Sequence, residues 1–513
     1  MQESLLAEAK FFRAHDYFLL VQNYGGVPLD LGSGELEFNT TPVRTATRNS
    51  VQEVYAVIFN DLTEAIAELP DAGRVTGGVT KTAARFFLSK AYLTYGWWLE
   101  RNSQSDPGGK TPAQLYQSAY DVAVEALKNP AGFGLMETFY DVNLAANDRN
   151  KEIILYADHN DSPLFSESGN ATYTDTGSTE DGMKENRSNF AILCNFEQAP
   201  GDEIEANLIR RVATQDLGRP WSRIAPTAGA LLNTFADKTL DSRYDGTFQY
   251  IYYANFNLEE PNTPYKNGAN GLRIYPGDIA WKFLDDDSEL PNMIKMTREN
   301  SDGSISDGDG LYLPGKAYAV WTPSTINRTR YPSVWKFGPD RTDKSRQGPW
   351  NAPSTRPFPV AKFSELYFIA AEAAVKGANP QSGYSARELI NVIRARAGKW
   401  RWDNNNRVEK IEDNSAAMMA ATPATITIDY ILAERSRELF AEGGRWCDLT
   451  RTGKLEEYAG KYYICENSPQ QFLATEHIRD IRPYHYLRPV PQSQIDRMIG
   501  SDEEKKAFQN PGY

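Results

Sequence analysis

The stretch Thr427-Ile428-Asp429-Tyr430-Ile431-Leu432-Ala433-Glu434-Arg435-Ser436-Arg437-Glu438-Leu439-Phe440-Ala441-Glu442-Gly443-Gly444-Arg445-Trp446-Cys447-Asp448-Leu449-Thr450-Arg451-Thr452-Gly453 decides how the chain is read. Thr427 is a helix N-cap residue, and Gly443-Gly444 supplies a stop. Ile428, Ile431, Leu432 and Leu439 recur at helical spacing, with the stem of Arg435 along the same face. Glu434, Glu438 and Glu442 stand one turn apart on another face. Three carboxylates in a row repel unless cations lie between them. The spacing therefore predicts an ion-pair lattice with Arg435 and Arg437, closed after the turn by Arg445, Asp448 and Arg451.

Outward from this segment, the first 130 residues read as helices. Leu5 to Tyr24 forms one, with Leu5, Ala9, Phe12 and Phe18 expected on its inner side and Gly25-Gly26 ending it. Ser50 and Glu53 make a capping box for a second helix that runs to Pro70. A third starts near Thr80, with Ala84, Phe87, Leu88, Ala91, Tyr92 and Tyr95 inward. Thr111-Pro112 opens a fourth, an N-cap followed by proline at the first helical position. From about Ala131 to Thr355, Gly, Pro, Asn, Asp and Ser are dense. Only short strand-like pieces appear there, such as Glu152–Tyr156 and Thr247–Tyr253. Helical periodicity returns over Val360–Lys376 and Ser385–Ala397, and Lys399–Ala424 reads as an exposed polar loop. The expected fold class is mainly α. A tetratricopeptide-like superhelix of helical hairpins carries a large, irregular, loop-rich insertion. The expected segments are 1–130, 131–355 and 356–513, in one compact unit.

The chain has 513 residues, 41% hydrophobic, with a net charge of −13, and its mean hydropathy is −0.56. No apolar run reaches the ~18 residues needed to span a bilayer. The acidic balance argues against nucleic acid and anionic lipid as main partners. Cys194, Cys447 and Cys465 are far apart and show neither metal-ligand spacing nor a disulfide framework. The four histidines are scattered. The segment 302–310 is acidic and glycine-rich but lacks the closing Glu of a calcium loop, so it reads as a flexible loop. No metal or other cofactor is expected. The ladder of Glu434, Glu438 and Glu442 is a poor glycosidase pair, because its members share one face and neighbouring arginines lower their pKa values. Aromatic residues make up 12% of the chain. Trp221, Tyr252, Tyr253, Tyr275, Trp281, Trp321 and Trp350 all fall in the irregular region. Each has two readings: a flat platform for the C–H face of a sugar, or a plug sealing a loop onto the scaffold.

The opening segment resembles the signature of the SusD/RagB family, an E-R-x-R-E-L helix followed by a G-x-R-W-x-D-L-x-R-x-G turn that contains Trp446. Two other stretches match the same family. One is Ala7-Glu8-Ala9-Lys10-Phe11-Phe12-Arg13-Ala14 with Tyr24-Gly25-Gly26-Val27-Pro28-Leu29. The other is Leu487-Arg488-Pro489-Val490-Pro491-Gln492-Ser493-Gln494-Ile495-Asp496 with Gln509-Asn510-Pro511-Gly512-Tyr513. The resemblance implies a non-catalytic outer-membrane lipoprotein at the cell surface. Such a protein captures oligosaccharides and passes them to a SusC-like TonB-dependent transporter. It also implies a signal peptide, a lipidated cysteine and further helices upstream of Met1, so the expected membrane contact is an anchor outside this chain. The alternatives are a peptide receptor of the same family, a helical glycoside hydrolase, and a pure protein scaffold.

Overall fold

The computed structural model describes residues 2–31, 44–45, 47–158, 172–173, 179–180, 188–212, 214–340, 354–465 and 473–513. Four helices open the chain: α1 (Gln2–Tyr24), α2 (Val51–Glu68), α3 (Lys81–Arg101) and α4 (Pro112–Lys128). Their starts follow from local chemistry. Ser50 and Glu53 close a reciprocal capping box, and so do Thr111 and Gln114, while Thr80 accepts from the Ala83 amide. Each satisfies amides that the first turn leaves without partners. Successive helices pack on one another, and α4 packs on α5 (Phe363–Val375), which packs on α6 (Ala386–Ala397). The helical layer thus continues across the insertion. Gly96 sets one close approach, since a Cβ there would lie 2.7 Å from the Tyr116 ring.

Strand β1 (Ile153–Ala157) brings the two ends of the insertion together. It pairs antiparallel with β7 (Phe358–Lys362), Ile153 lying opposite Lys362. Between them lies a five-stranded sheet of β2 (Ile251–Tyr253), β3 (Ile279–Phe283), β4 (Ile294–Glu299), β5 (Ile305–Tyr312) and β6 (Ala319–Trp321), in the order β2-β3-β6-β5-β4. The β3–β6 pair is parallel, with Trp281 opposite Ala319 and Phe283 opposite Trp321. Three hydrophobic clusters result, two of them large. One joins α1–α6 with β1 and β7; the other is built from residues between Ile192 and Val334.

Several sequence expectations change. The buried stripe of α1 is Ala7, Phe11, Ala14, Phe18 and Val21, whereas Leu5 and Phe12 face solvent. The helix carries two apolar stripes, and the one meeting Tyr55 and Phe87 is buried. Val360–Lys362 is strand, because Ile153–Ala157 offers it a ladder, and the helix begins at Phe363. Lys399–Ala424 is a hairpin (Lys399–Asp403 with Val408–Asp413) followed by a short helix, Ser415–Ala420. The acidic segment 302–310 runs into β5, where Asp307 pairs with Lys295 and Asp309 with Arg330.

Helix α7 (Ile428–Glu438) is capped by Thr427 and ends before the glycines; α8 (Arg445–Thr452) follows. Glu442 therefore lies in the turn, off the helix. Glu434 accepts from Arg243 at 2.8 Å, Arg394 at 2.5 Å and Arg437 at 2.8 Å. Glu438 binds Arg396, which also holds Glu152 at 3.0 Å. Glu442 takes Lys336 at 2.7 Å and Lys362 at 3.1 Å. Next to this row on α7, Arg435 meets Asp448 at 2.8 Å and Glu365 at 2.6 Å, and Arg451 spans Asp448 and Glu372. Arg445 does not join the carboxylates; it donates to the Leu432 carbonyl. Trp446 is half-buried beside Leu432 and Leu449, with Arg488 over its ring. The two other motif regions adjoin, the Arg488 amide donating at 2.7 Å to the carbonyl of Asn23, the residue before Tyr24.

Burial alone would raise the Glu434 carboxyl pKa; Arg243, Arg437 and Arg394 overcome it and hold the group well below the carboxylate range. Burial likewise opposes ionisation of Glu365, yet Lys90 and Arg435 bring it down to about 2 from its ordinary 4.5. A folded-state pKa below the unfolded one means stability complete above about pH 4.5 and lost as pH falls toward 2. The melting temperature is expected to fall steadily below pH 4.5, with a shallower fall in Glu365→Gln; a flat profile to pH 2 would contradict the lattice. Arg243→Met strands buried carboxylates and is expected to cost about 3–5 kcal/mol in urea unfolding. Arg211→Ala, which breaks a half-exposed pair with Glu197, is expected to cost under about 1 kcal/mol.

Candidate functional site

The seven aromatic residues singled out by sequence separate sharply. Tyr252, Trp281 and Trp321 are buried in the second core. The Trp321 ring stacks on Phe283 at 5.1 Å and lies 5.9 Å from Trp281. Both indole nitrogens are satisfied internally, Trp281 by the Phe196 carbonyl and Trp321 by that of Asp309. Arg330 lies over both rings. Tyr252 donates to Ser333 at 2.5 Å, and burial pushes its phenol pKa up. These three rings offer no face to solvent. Their strands form a sheet that the sequence reading lacked, and period-2 alternation turns them inward. Tyr253 is half-buried; it donates to the Asn405 carbonyl at 2.8 Å, and Arg407 lies 4.3 Å over its ring. Trp221 is half-buried edge-on to Phe190. Trp350 lies outside the described residues.

Tyr275 differs. It is 46% exposed and stands at the mouth of an open groove of about 650 Å³ with Leu272, Arg273, Asp278, Lys316 and Tyr318. The sequence builds this groove from turns. Asn270 (φ 59°) and Gly271 (φ 68°) close the hairpin of Lys266–Asn267 and Arg273–Ile274. Asn and Gly tolerate that left-handed conformation. The Asn270 side chain donates to the Leu313 and Lys316 carbonyls at 2.9 and 2.8 Å, bolting the hairpin to the facing loop. Asp278 accepts from the Tyr275 amide at 2.8 Å while its own amide donates to the Tyr275 carbonyl, which fixes the backbone from which the ring projects. Tyr265 lies 6.0 Å from Tyr275, with Arg273 stacked 3.9 Å over the Tyr265 ring.

The groove presents aromatic faces, one leucine, two cations and a carboxylate. Rings can meet the C–H face of a sugar, and the charged tips can take its hydroxyls. Asp278 is the single carboxylate among the lining residues, so the groove lacks the opposed pair of a glycosidase. Among the described residues no cluster of His, Cys, Asp and Glu is arranged to hold a metal. Sequence reasoning missed Tyr265, Leu272, Arg273, Lys316 and Tyr318. The available signal was their setting between turn pairs, Asn270-Gly271, Pro276-Gly277 and Pro314-Gly315. A second opening of about 650 Å³ lies between the loop Asp71–Gly78 and Arg149–Tyr156, with Phe133 and Tyr156 as its rings.

Residues 151–513 match the model of the SusD family. Residues 1–93 match a model described as starch-binding associating with outer membrane. The chain belongs to the SusD family. Solved structures with the same fold include a laminarin-binding SusD-like protein, 21% identical, with a TM-score of 0.54 over 99% of this chain and 78% of that one. A structure with xylogluco-oligosaccharide is 18% identical, with a TM-score of 0.56 over 97% and 80%. Surface glycan-binding protein A from Bacteroides fluxus is 18% identical, with a TM-score of 0.55 over 100% and 78%. No curated protein sequence matches the chain.

Core and groove aromatics predict opposite stability effects. Trp321→Ala is expected to cost about 3–5 kcal/mol through the cavity it leaves. Tyr275→Ala is expected to stay within about 0.5 kcal/mol of the parent. Urea midpoints measured on the two variants decide the assignment of core and surface.

Proposed function

We propose that this protein binds oligosaccharides at the cell surface through the groove of Tyr275 and Tyr318 and delivers them to a TonB-dependent outer-membrane transporter. Binding involves no covalent step. The observation that carries the site is the exposed ring of Tyr275, carried on the Asp278 turn beside Arg273 and Lys316. A backbone turn fixed before the ligand arrives lowers the ordering cost of binding. Family membership supports the glycan class, as do the laminarin-binding and xylogluco-oligosaccharide structures that share the fold. Delivery to a transporter and attachment through a lipid rest on the family resemblance. The earlier sequence candidates Trp221 and Tyr253 stay at the margin of this reading, since one face of each is already covered.

The test is affinity electrophoresis and calorimetry against plant, fungal, host and microbial polysaccharides. One glycan class is expected to bind, with affinity reduced about tenfold or more in Tyr275→Ala and Tyr318→Ala, and no reducing ends released. That loss corresponds to about 1.4 kcal/mol per ring. Binding unchanged in both variants would move the site elsewhere, and release of reducing ends would replace binding by hydrolysis.

A further inference from the structure

Arg273, at the edge of the Tyr275 groove, is held on one side and open on the other. Its guanidinium lies 3.9 Å over the Tyr265 ring, and the centroid of that ring is 6.0 Å from that of Tyr275. One flat face of the guanidinium is thereby covered, while its in-plane N–H groups donate to no acceptor among the described residues. Every other arginine seen over a described ring also donates to a carboxylate, a carbonyl or an amide oxygen. Arg330 over Trp281 takes Asp309, for example, and Arg407 over Tyr253 takes Asp216 at 2.8 Å. Lys316, on the facing loop, likewise has no side-chain partner among the described residues. Its backbone is tied to the Arg273 hairpin, because Asn270 donates to the Lys316 carbonyl at 2.8 Å and the Ala269 amide to that of Ala317 at 2.9 Å. Both cations are exposed. The one carboxylate of the lining, Asp278, already accepts from the Tyr275 amide. The groove thus carries one net positive charge on a chain whose net charge is −13.

We propose that the glycan taken by this groove is acidic, a pyranose bearing a carboxylate or a sulfate that Arg273 and Lys316 read. The inference rests on the assignment of the Tyr275 groove as the sugar site. A guanidinium stacked on a ring has few orientations left, and its open edge matches two oxygens of a carboxylate or sulfate with parallel N–H···O bonds. Such charge-assisted bonds are roughly twice as strong as those to a neutral hydroxyl. Lys316 adds a second charge with freer geometry. The Tyr275 ring takes the C–H face of the sugar, so charge and ring select together. On an acidic protein a locally positive groove also steers an anionic chain toward the ring. A neutral sugar offers these cations only hydroxyls, which water already supplies.

The experiment is affinity electrophoresis and calorimetry on the full chain. The acidic probes are polygalacturonate, alginate, hyaluronan and chondroitin sulfate, each beside its carboxyl-reduced or desulfated form, with laminarin as the neutral glycan and polyglutamate as the acidic peptide. At least one acidic glycan is expected to bind, about tenfold or more tighter than its neutralised form. Whether carboxyl reduction or desulfation removes the binding tells which acid is read. Arg273→Gln and Lys316→Gln are each expected to weaken that binding about tenfold and to flatten its dependence on salt between about 50 and 300 mM NaCl. Their melting temperatures are expected to match the parent, since neither side chain has a protein ion pair to lose. A neutral glycan that binds through Tyr275 with unchanged affinity in Arg273→Gln and Lys316→Gln overturns the acidic class and leaves the groove in place. Acidic-glycan binding undiminished in Tyr275→Ala overturns the groove itself. Silence of every acidic glycan, or equal binding of polyglutamate, also overturns the inference.

Discussion

A charge placed out of water must be answered by another, and helix α7 is where this molecule meets that requirement. Glu434, Arg435 and Glu438 are all enclosed. The lattice around them, which also holds Glu442, Asp448 and Arg451, draws charges from every layer. Lys90 stands on α3, Glu152 and Lys362 at the strands that close the insertion, Glu365 and Glu372 on α5, and Arg394 and Arg396 on α6. Arg243 and Lys336 come from the inserted region itself. Such pairs add little net stability over well-packed hydrophobic residues, because desolvation offsets much of the attraction. Their effect is on uniqueness: a misplaced element leaves an uncompensated charge inside the protein. The two hydrophobic cores are non-directional by comparison.

The helical part was legible because local rules govern it. The Ser50 capping box, the Thr111 N-cap before Pro112 and the apolar periodicity of α2 through α4 need no knowledge of neighbours. What escaped is what neighbours decide. Val360–Lys362 has a helical pattern, yet Ile153–Ala157 recruits it into a ladder. Helix α1 has two apolar stripes, and only the placement of α2 and α3 selects the buried one. Glu442 reads as a third rung of the ladder, but the helix stops at Glu438 and Ala441 turns at positive φ. The arginines and carboxylates of the lattice were recognised as a group; Arg445 was misassigned because a backbone carbonyl, invisible in a sequence pattern, claims it.

The candidate groove was less legible, for a physical reason. A tryptophan in a glycine-rich region looks exposed until a sheet forms around it. The five-stranded sheet consumed Tyr252, Trp281 and Trp321, and composition could not separate them from Tyr275. Trp281 and Trp321 sit on neighbouring parallel strands, a long-range pairing with no local signature. Tyr275 stays outside because the Asp278 turn follows it. Turn chemistry, more than aromatic content, marked the ring that reaches solvent.

The pairing of β1 with β7 and the reach of the lattice also order events in time. Glu152, Arg243, Lys336 and Lys362 are all made well before Glu434 and Glu438. A chain emerging from its N-terminus therefore carries charges whose partners do not yet exist. Contacts of such sequence separation are paid for late, after loop closure. The lattice cannot be completed until residues near Arg451 are available. Until that moment the buried charges of the inserted region have no partners, and the lattice stays incomplete.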